Sequence, residues 1–207
     1  MFRIDESGCR LRDGSRFLRC ATAQRGRRVV PLETPILDAA AMQRSITRMS
    51  HEVLERNKGL DGMVLIGIKT RGAVLSDRIA QKMAQIEGKA PEVWHLDVRP
   101  YRDDIKGSEP KRLPVEGLDV EGRTVVLVDD VLYTGRTVRA ALDAVMVTGR
   151  PRLVQLAALA DRGHRELPIR PDFIGKNVPT SREESVAVRF AEVDGEDGVW
   201  IVKPNRY

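Results

Sequence analysis

The run Val125-Val126-Leu127-Val128-Asp129-Asp130-Val131-Leu132-Tyr133-Thr134-Gly135-Arg136-Thr137 constrains this chain more than any other segment. Its β-branched, non-alternating start predicts a strand over 124–131 covered on both faces, as in a parallel sheet. Two adjacent carboxylates fall at the carboxyl end of that strand, where open α/β sheets place their ligands. A Thr/Gly turn follows and opens a helical pattern over 138–147. Burying neighbouring carboxylates without a partner is costly, which argues against a purely structural role for the pair. Thr134, Gly135 and Thr137 offer hydroxyls and backbone N–H groups at a helix start whose dipole favours a phosphate. Asp129 and Asp130 only accept hydrogen bonds, which suits ribose hydroxyls or a magnesium-bound water.

The rest of the chain reads as the frame of one α/β domain. From Pro35 to Arg56, Met42, Ile46, Met49 and Val53 recur at helical spacing, and Asn57-Lys58-Gly59 closes the pattern. Met63 to Ile68 predicts a short buried strand, followed by the turn Lys69-Thr70-Arg71-Gly72 and a helix from about Ala73 to Ile86. Glu92 to Val98 predicts another strand. The polar region 100–114, punctuated by Gly107, Pro110 and Pro114, reads as a long loop of the lid type. Leu153 to Ala160 predicts a third clear strand, with shorter ones at 172–175, 185–192 and 199–202.

Charge excludes less than it suggests. The chain of 207 residues carries a formal charge of +5. Its first thirty residues hold eight Arg against Asp5, Glu6 and Asp13, which leaves 27 basic and 27 acidic side chains beyond them. The overall balance is therefore no argument for nucleic-acid binding; only local clustering can supply one. Residues 1–30 are expected to form an Arg-rich, poorly ordered extension, and 31–207 a single domain. Both cysteines, Cys9 and Cys20, lie in the extension, so a disulfide framework is not expected. No apolar stretch is long enough to span a bilayer, and no secretory signal is legible, so no membrane partner and a cytoplasmic location are expected.

Four polar segments follow strands: 69–72, 99–104, 129–137 and 161–165. In a doubly wound sheet they gather at one edge. Lys69 and Arg71, with Thr70 and Gly72, suit a diphosphate. Tyr101-Arg102-Asp103-Asp104 stands at the root of the lid. Asp161 to Arg170 packs three Arg and one His into ten residues, and could bind phosphates or neutralise itself through Asp161 and Glu166. On the first helix, Arg44, Thr47, Arg48 and His51 fall opposite the apolar stripe. A Walker-type phosphate loop and a Gly-x-Gly-x-x-Gly turn are both absent.

The strand-and-turn segment resembles the phosphoribosyl diphosphate (PRPP) motif of type I phosphoribosyltransferases. Gly67 to Gly72, Leu96-Asp97 with Tyr101 to Asp104, Val126 to Thr137, Asp161 to Arg170, and Gly175-Lys176-Asn177-Val178-Pro179-Thr180-Ser181 together resemble the bacterial PyrR family, from about Glu33 onward. The resemblance implies a type I phosphoribosyltransferase fold: a central, mostly parallel sheet flanked by helices, with a small hood. It implies uracil phosphoribosyltransferase activity with Mg2+, and uridine-nucleotide-dependent binding of pyr leader mRNA that promotes attenuation. Uracil, PRPP, UMP and UTP are the small partners it implies, and a homodimer or higher homo-oligomer the assembly. Position by position, Asp129, Asp130, Val131, Leu132, Tyr133, Thr134, Gly135, Arg136 and Thr137 would hold the ribose 5-phosphate. Lys69, Thr70, Arg71 and Gly72 would hold the diphosphate, and Tyr101, Arg102, Asp103 and Asp104 would line the closing lid. Asp161, Arg162 and Val188 would neighbour the base. The RNA surface would comprise Thr47, Arg48, His51, Arg56, Arg165, Arg170 and Lys176. Val98-Arg99-Pro100 departs from the more apolar family pattern, and Pro100 would end ladder pairing there. An enzyme without RNA regulation and a purine phosphoribosyltransferase remain as alternatives.

Overall fold

The computed structural model describes residues 32–102 and 115–204, all within one compact unit, Pro31–Tyr207. The expectations for the extension 1–30, and for the lid beyond Arg102 with its Asp103 and Asp104, fall outside the described residues. The described elements are β1 (Leu32–Leu37), α1 (Ala39–Asn57), β2 (Met63–Ile68), α2 (Arg71–Glu87), β3 (Glu92–Leu96), a 3-10 turn (Arg99–Tyr101), β4 (Thr124–Leu132), α3 (Arg136–Thr148), β5 (Leu153–Asp161), β6 (Phe173–Asn177), β7 (Ser185–Arg189), α4 (Ala191–Asp194) and β8 (Gly198–Lys203). A five-stranded sheet runs β3-β2-β4-β5-β6 and is parallel throughout. A three-stranded antiparallel sheet, β1-β8-β7, forms the hood.

Helices on both faces of the parallel sheet explain the unbroken apolar runs. Met63 and Leu65 of β2, with Val126 and Val128 of β4, enter the core beneath α1 and α2. Val64, Ile66 and Ile68, with Val125 and Leu127, point the other way into the core beneath α3. The α1 stripe Met42, Ile46, Met49 and Val53 is wholly buried, and side chains of this kind contribute on the order of 1.5–3 kcal/mol each. That contribution decides which face of α1 turns inward and leaves Arg44, Arg48 and His51 outside.

The strand order fixes where a ligand can sit. From β2 the chain steps outward to β3, then returns across β2 to lay down β4. The sequence direction therefore reverses between β2 and β4, and the loops after these two strands diverge to opposite faces. Such a switch point opens a crevice at the carboxyl edge, here between the Lys69–Gly72 turn and Asp129–Asp130.

Several element boundaries differ from the sequence reading. The helix expected from Pro35 begins at Ala39, because 32–37 pairs with β8 as an edge strand and Asp38 caps the helix, its Oδ1 accepting Ala41 N–H at 2.7 Å. A short strand containing Pro35 carries too weak an alternation to declare itself. The strand expected to reach Glu192 stops at Arg189, and Ala191–Asp194 coil into α4. Helices α2 and α3 start at Arg71 and Arg136, two residues earlier than expected, and β3 ends at Leu96, before Pro100 could interrupt it. No described helix is long and apolar enough to cross a membrane.

Gly72 lets the first turn of α2 lie against the end of β4. A Cβ there would stand 2.5 Å from Val128 O and 3.1 Å from Asp129 Cα, both backbone. Gly72→Ala is expected to destabilise the fold by about 1–3 kcal/mol, read as a lower denaturant midpoint at unchanged slope. A midpoint equal to that of the parent would show that the close approach is not required.

Candidate active site

Asp129 and Asp130 lie near the carboxyl end of β4, at the crevice, and Val131 and Leu132 complete the strand. Asp129 is only 6% exposed, and burial, reinforced by the neighbouring Asp130 charge, holds its carboxyl well above the usual range. Its Oδ1 accepts the Asp130 backbone N–H at 3.1 Å. Asp130 is half-buried; burial pushes its carboxyl up and the Arg71 guanidinium pulls it back down. Arg102 lowers the Asp129 carboxyl in the same way and donates from Nη1 to Thr137 Oγ1 at 3.2 Å. Tyr101, in the turn before Arg102, is buried in the α3-side core. The lid root thus packs onto the strand and turn that carry the acids.

The turn after the acids is built to present backbone. Gly135 adopts φ +93 at the cap of α3, a conformation that favours glycine, and Leu167 and Ile169 close over it. Thr134 Oγ1 accepts Arg136 N–H at 3.3 Å, and Thr134 O accepts Glu166 and Leu167 N–H at 3.0 and 3.2 Å. Val131 is half-buried and Leu132 buried, whereas Tyr133 stands out with the Arg162 guanidinium stacked 3.8 Å from its ring. The 131–137 turn and the 161–170 run are therefore one joined structure.

Within that run the basic residues hold the protein together. Arg165 donates to the carbonyls of Leu132, Tyr133, Gly163 and Ile169 and, at 2.6 Å, to Asp161 Oδ2. Arg162 is buried, donating to Thr180 Oγ1 at 3.3 Å and Glu184 O at 2.6 Å. Beside them, Asp161, Arg162, Gly163, His164, Asn177, Pro179 and Thr180 line a depression of about 430 Å3. Val188 lies elsewhere: at 3% exposed, it packs in the core that joins hood to sheet, so its side chain offers almost no surface to a base.

Lys69 and Thr70 are exposed at the end of β2, joined by a cis peptide, and Lys69 N–H donates to Leu96 O at 2.9 Å. Arg71 pairs with Asp194 of α4, and its pKa is raised chiefly by that bond. Sequence reading missed Asp194 and Glu192, because the charges of a four-residue helix carry no periodicity, and Arg78 of α2, because its partners lie more than a hundred residues away. Arg78 donates to both Glu192 and Asp197 and lies 5.0 Å from the Phe190 ring centroid.

Of the residues expected at an RNA surface, Arg48 and Arg56 of α1 meet the β6 region that carries Lys176, whereas Arg165 bonds within the turn and run described above. Arg48 donates from Nη2 to Ile174 O and Gly175 O at 2.7 and 2.8 Å, tying α1 to β6. Arg56 pairs with Asp172 at 3.1 Å and covers the Phe173 ring. A depression of about 490 Å3 between α1 and β6 is lined by Arg48, Glu52, Asp172, Ile174, Gly175, Lys176 and Asn177. Thr47 Oγ1 bonds Gln43 O. His51, Arg170 and Lys176 are exposed, and among the described residues the latter two have no ion-pair partner.

Comparison with known proteins places these features in a family. The phosphoribosyl transferase domain family matches residues 34–189. The Bifunctional protein PyrR of Clostridioides difficile is 54% identical over 170 residues, covering 80% of this chain and 96% of that protein. The protein of the same name from Oceanobacillus iheyensis is 56% identical over 172 residues, 81% of this chain and 96% of its own length. Among solved structures, a hypoxanthine phosphoribosyltransferase of Staphylococcus aureus superposes with TM-score 0.63 at 17% identity, covering 83% of this chain and 92% of that one. That of Trypanosoma cruzi, in a ternary substrates complex, gives 0.66 at 16% identity, covering 82% and 95%. The fold is the type I phosphoribosyltransferase fold.

The buried carboxyl predicts an unusual pH response. A native pKa above the ordinary 3.8 means that the contribution of Asp129 to stability is fully present below that value and is lost as pH rises through the native pKa. Asp129→Asn, without divalent cation or phosphorylated ligand, is therefore expected to be more stable than the parent at pH 7. The gain should be about 1.4 kcal/mol for each tenfold increase in proton affinity on folding, vanishing toward pH 3. Denaturant titrations across pH check this; equal stabilities at pH 7 would contradict it.

Proposed function

Because the chain belongs to the phosphoribosyltransferase domain family and, within it, to the PyrR family, we propose that it is a uracil phosphoribosyltransferase and an RNA-binding regulator of pyrimidine genes. One observation carries the enzyme reading. An acidic pair lies near the carboxyl end of β4 at the topological switch point, shortly before an amide-presenting turn at the start of α3 and across from the Lys69–Gly72 loop.

The reaction transfers the phosphoribosyl group of PRPP to a uracil nitrogen, giving UMP and diphosphate. Positive charge develops at C1′, and the C1′–diphosphate bond breaks as the C–N bond forms. Asp129 and Asp130 would accept from the ribose hydroxyls and hold the ring in line. Thr134, Gly135, Arg136 and Thr137 would receive the 5-phosphate at the helix start. Lys69 and Arg71 would stabilise charge on the departing diphosphate. Asp161 and Arg162, beside Tyr133, border the space left for the base.

The donor set suits magnesium carried in on PRPP. Among the described residues no group of three or more metal-ligating side chains exists, and magnesium commonly takes one or two carboxylates while keeping water and phosphate oxygens. Asp129 and Asp130 are the residues that would meet it. The chemistry it supplies when bound is neutralisation of the leaving diphosphate.

The regulatory reading rests on the adjoining faces of α1 and β6 and on the 161–170 run. In it, pyr leader mRNA would contact Arg170, Lys176, His51, Thr47 and the outer surfaces of Arg48 and Arg56, with UMP or UTP sharpening the preference. One observation favours an enzyme without RNA regulation: Arg48, Arg56 and Arg165 already spend hydrogen bonds on protein acceptors. The reading also takes the protein as a cytoplasmic homo-oligomer.

Purified protein given PRPP and magnesium is expected to turn over uracil in preference to hypoxanthine or guanine. Asp130→Asn should lower kcat/KM by on the order of a hundredfold with little loss of stability; parent-level turnover in that variant removes the acids from the mechanism. In a gel-shift titration of a pyr leader hairpin, UMP should tighten wild-type binding. Arg170→Gln should weaken it and flatten the salt slope by about one. A UMP-independent, sequence-blind shift would instead leave the enzyme alone.

A further inference from the structure

The hood reaches the diphosphate loop through one ion pair. Arg71 donates from Nε and Nη2 to the two carboxylate oxygens of Asp194, at 3.1 and 2.6 Å. Asp194 is itself fixed, since Oδ2 accepts the Phe190 N–H at 3.0 Å and Phe190 is wholly buried. Two-point pairing of this kind sets both the place and the plane of a guanidinium.

The pair is not needed to dock the hood. Arg78 on the same helix α2 grips Glu192 within α4 and Asp197 just after it, and its guanidinium lies over Phe190. Val188, Phe190 and Val199 are buried in the shared core. A carboxylate beside the expected diphosphate is also unfavourable by charge alone, so its advantage must be geometric. Guanidinium has five N–H donors, and Asp194 occupies the Nε/Nη2 edge. Among the described residues nothing accepts from Nη1 of Arg71, and the same guanidinium acts on Asp130.

We propose that Asp194 is a positioning residue: it holds Arg71 by one edge so that the other is presented to the diphosphate of PRPP. The proposal rests on the phosphoribosyltransferase reading above. It makes hood placement and diphosphate binding parts of one arrangement, with the contact supplied by a residue 123 positions away in sequence.

Steady-state kinetics on the full chain test it, using the parent, Asp194→Asn, Glu192→Gln, Arg71→Gln and the double variant Asp194→Asn/Arg71→Gln. Asp194→Asn is expected to raise KM for PRPP on the order of tenfold, as misplacement of a substrate-holding group does, with KM for uracil and kcat within about twofold. Glu192→Gln, which loosens the hood without touching Arg71, should leave KM for PRPP unchanged. In the Arg71→Gln background Asp194→Asn should add nothing. An unchanged or lowered KM for PRPP in Asp194→Asn overturns the proposal, the latter by making Asp194 a competitor. Equal effects from Glu192→Gln, or additive effects in the double variant, overturn it in favour of simple docking. Calorimetric titration with magnesium pyrophosphate reads the same contact without turnover. Parent protein that binds pyrophosphate more tightly than Asp194→Asn, yet forms no UMP, sinks the enzyme reading and keeps this one; parent that does neither sinks both.

Discussion

Two adjacent carboxylates at the end of a buried strand are the constraint around which this molecule is arranged. Charged carboxylates in such surroundings are expensive, and each group that eases the cost comes from a different part of the chain. Arg71 comes from the start of α2, and Arg102 from the turn after β3. A parallel sheet is what allows this, because it brings all its strand ends to one edge. Gly72 then matters as much as the charges do, since any side chain there would push α2 away from Val128 and Asp129.

The acidic pair also explains the emphasis on fixed geometry around it. The 131–137 turn is bound to the 161–170 run through Thr134 O, Arg165 and the Arg136–Glu166 pair at 2.8 Å. The Lys69–Gly72 loop is bound to the hood through Asp194. Of the Arg residues in the 161–170 run, Arg162 and Arg165 face inward to protein acceptors, and Arg170 is left exposed. One loop therefore borders the proposed base site and also carries an exposed cation, Arg170.

Much of this was legible in the sequence, for identifiable reasons. The apolar runs of β2, β4 and β5 predicted buried parallel strands, and the Met42, Ile46, Met49, Val53 stripe predicted α1, because burial imposes strong periodicity or its strong absence. The acidic pair and the following glycine turn announced themselves because few local structures need that order of residues. The hood was less legible: β1 contains Pro35, α4 has four residues, and their placement depends on pairing with distant β8 and on Arg78. Val188 looked like a ligand neighbour by resemblance, yet its inward register in β7 puts it in the core. Arg165 read as a surface cation because its carbonyl partners are set by the tertiary fold, which spacing does not reveal. Asp194 gave no signal, being one acid among several in a charged stretch.

The central claim is that Asp129, Asp130 and the 134–137 turn together cup one phosphorylated pentose. A crystal structure with PRPP and magnesium tests it most directly. The account predicts the 5-phosphate within hydrogen-bonding distance of the turn's backbone amides, the ribose hydroxyls on the two aspartates, and the diphosphate against Lys69 to Gly72. Density for PRPP at any other place on the molecule would contradict it.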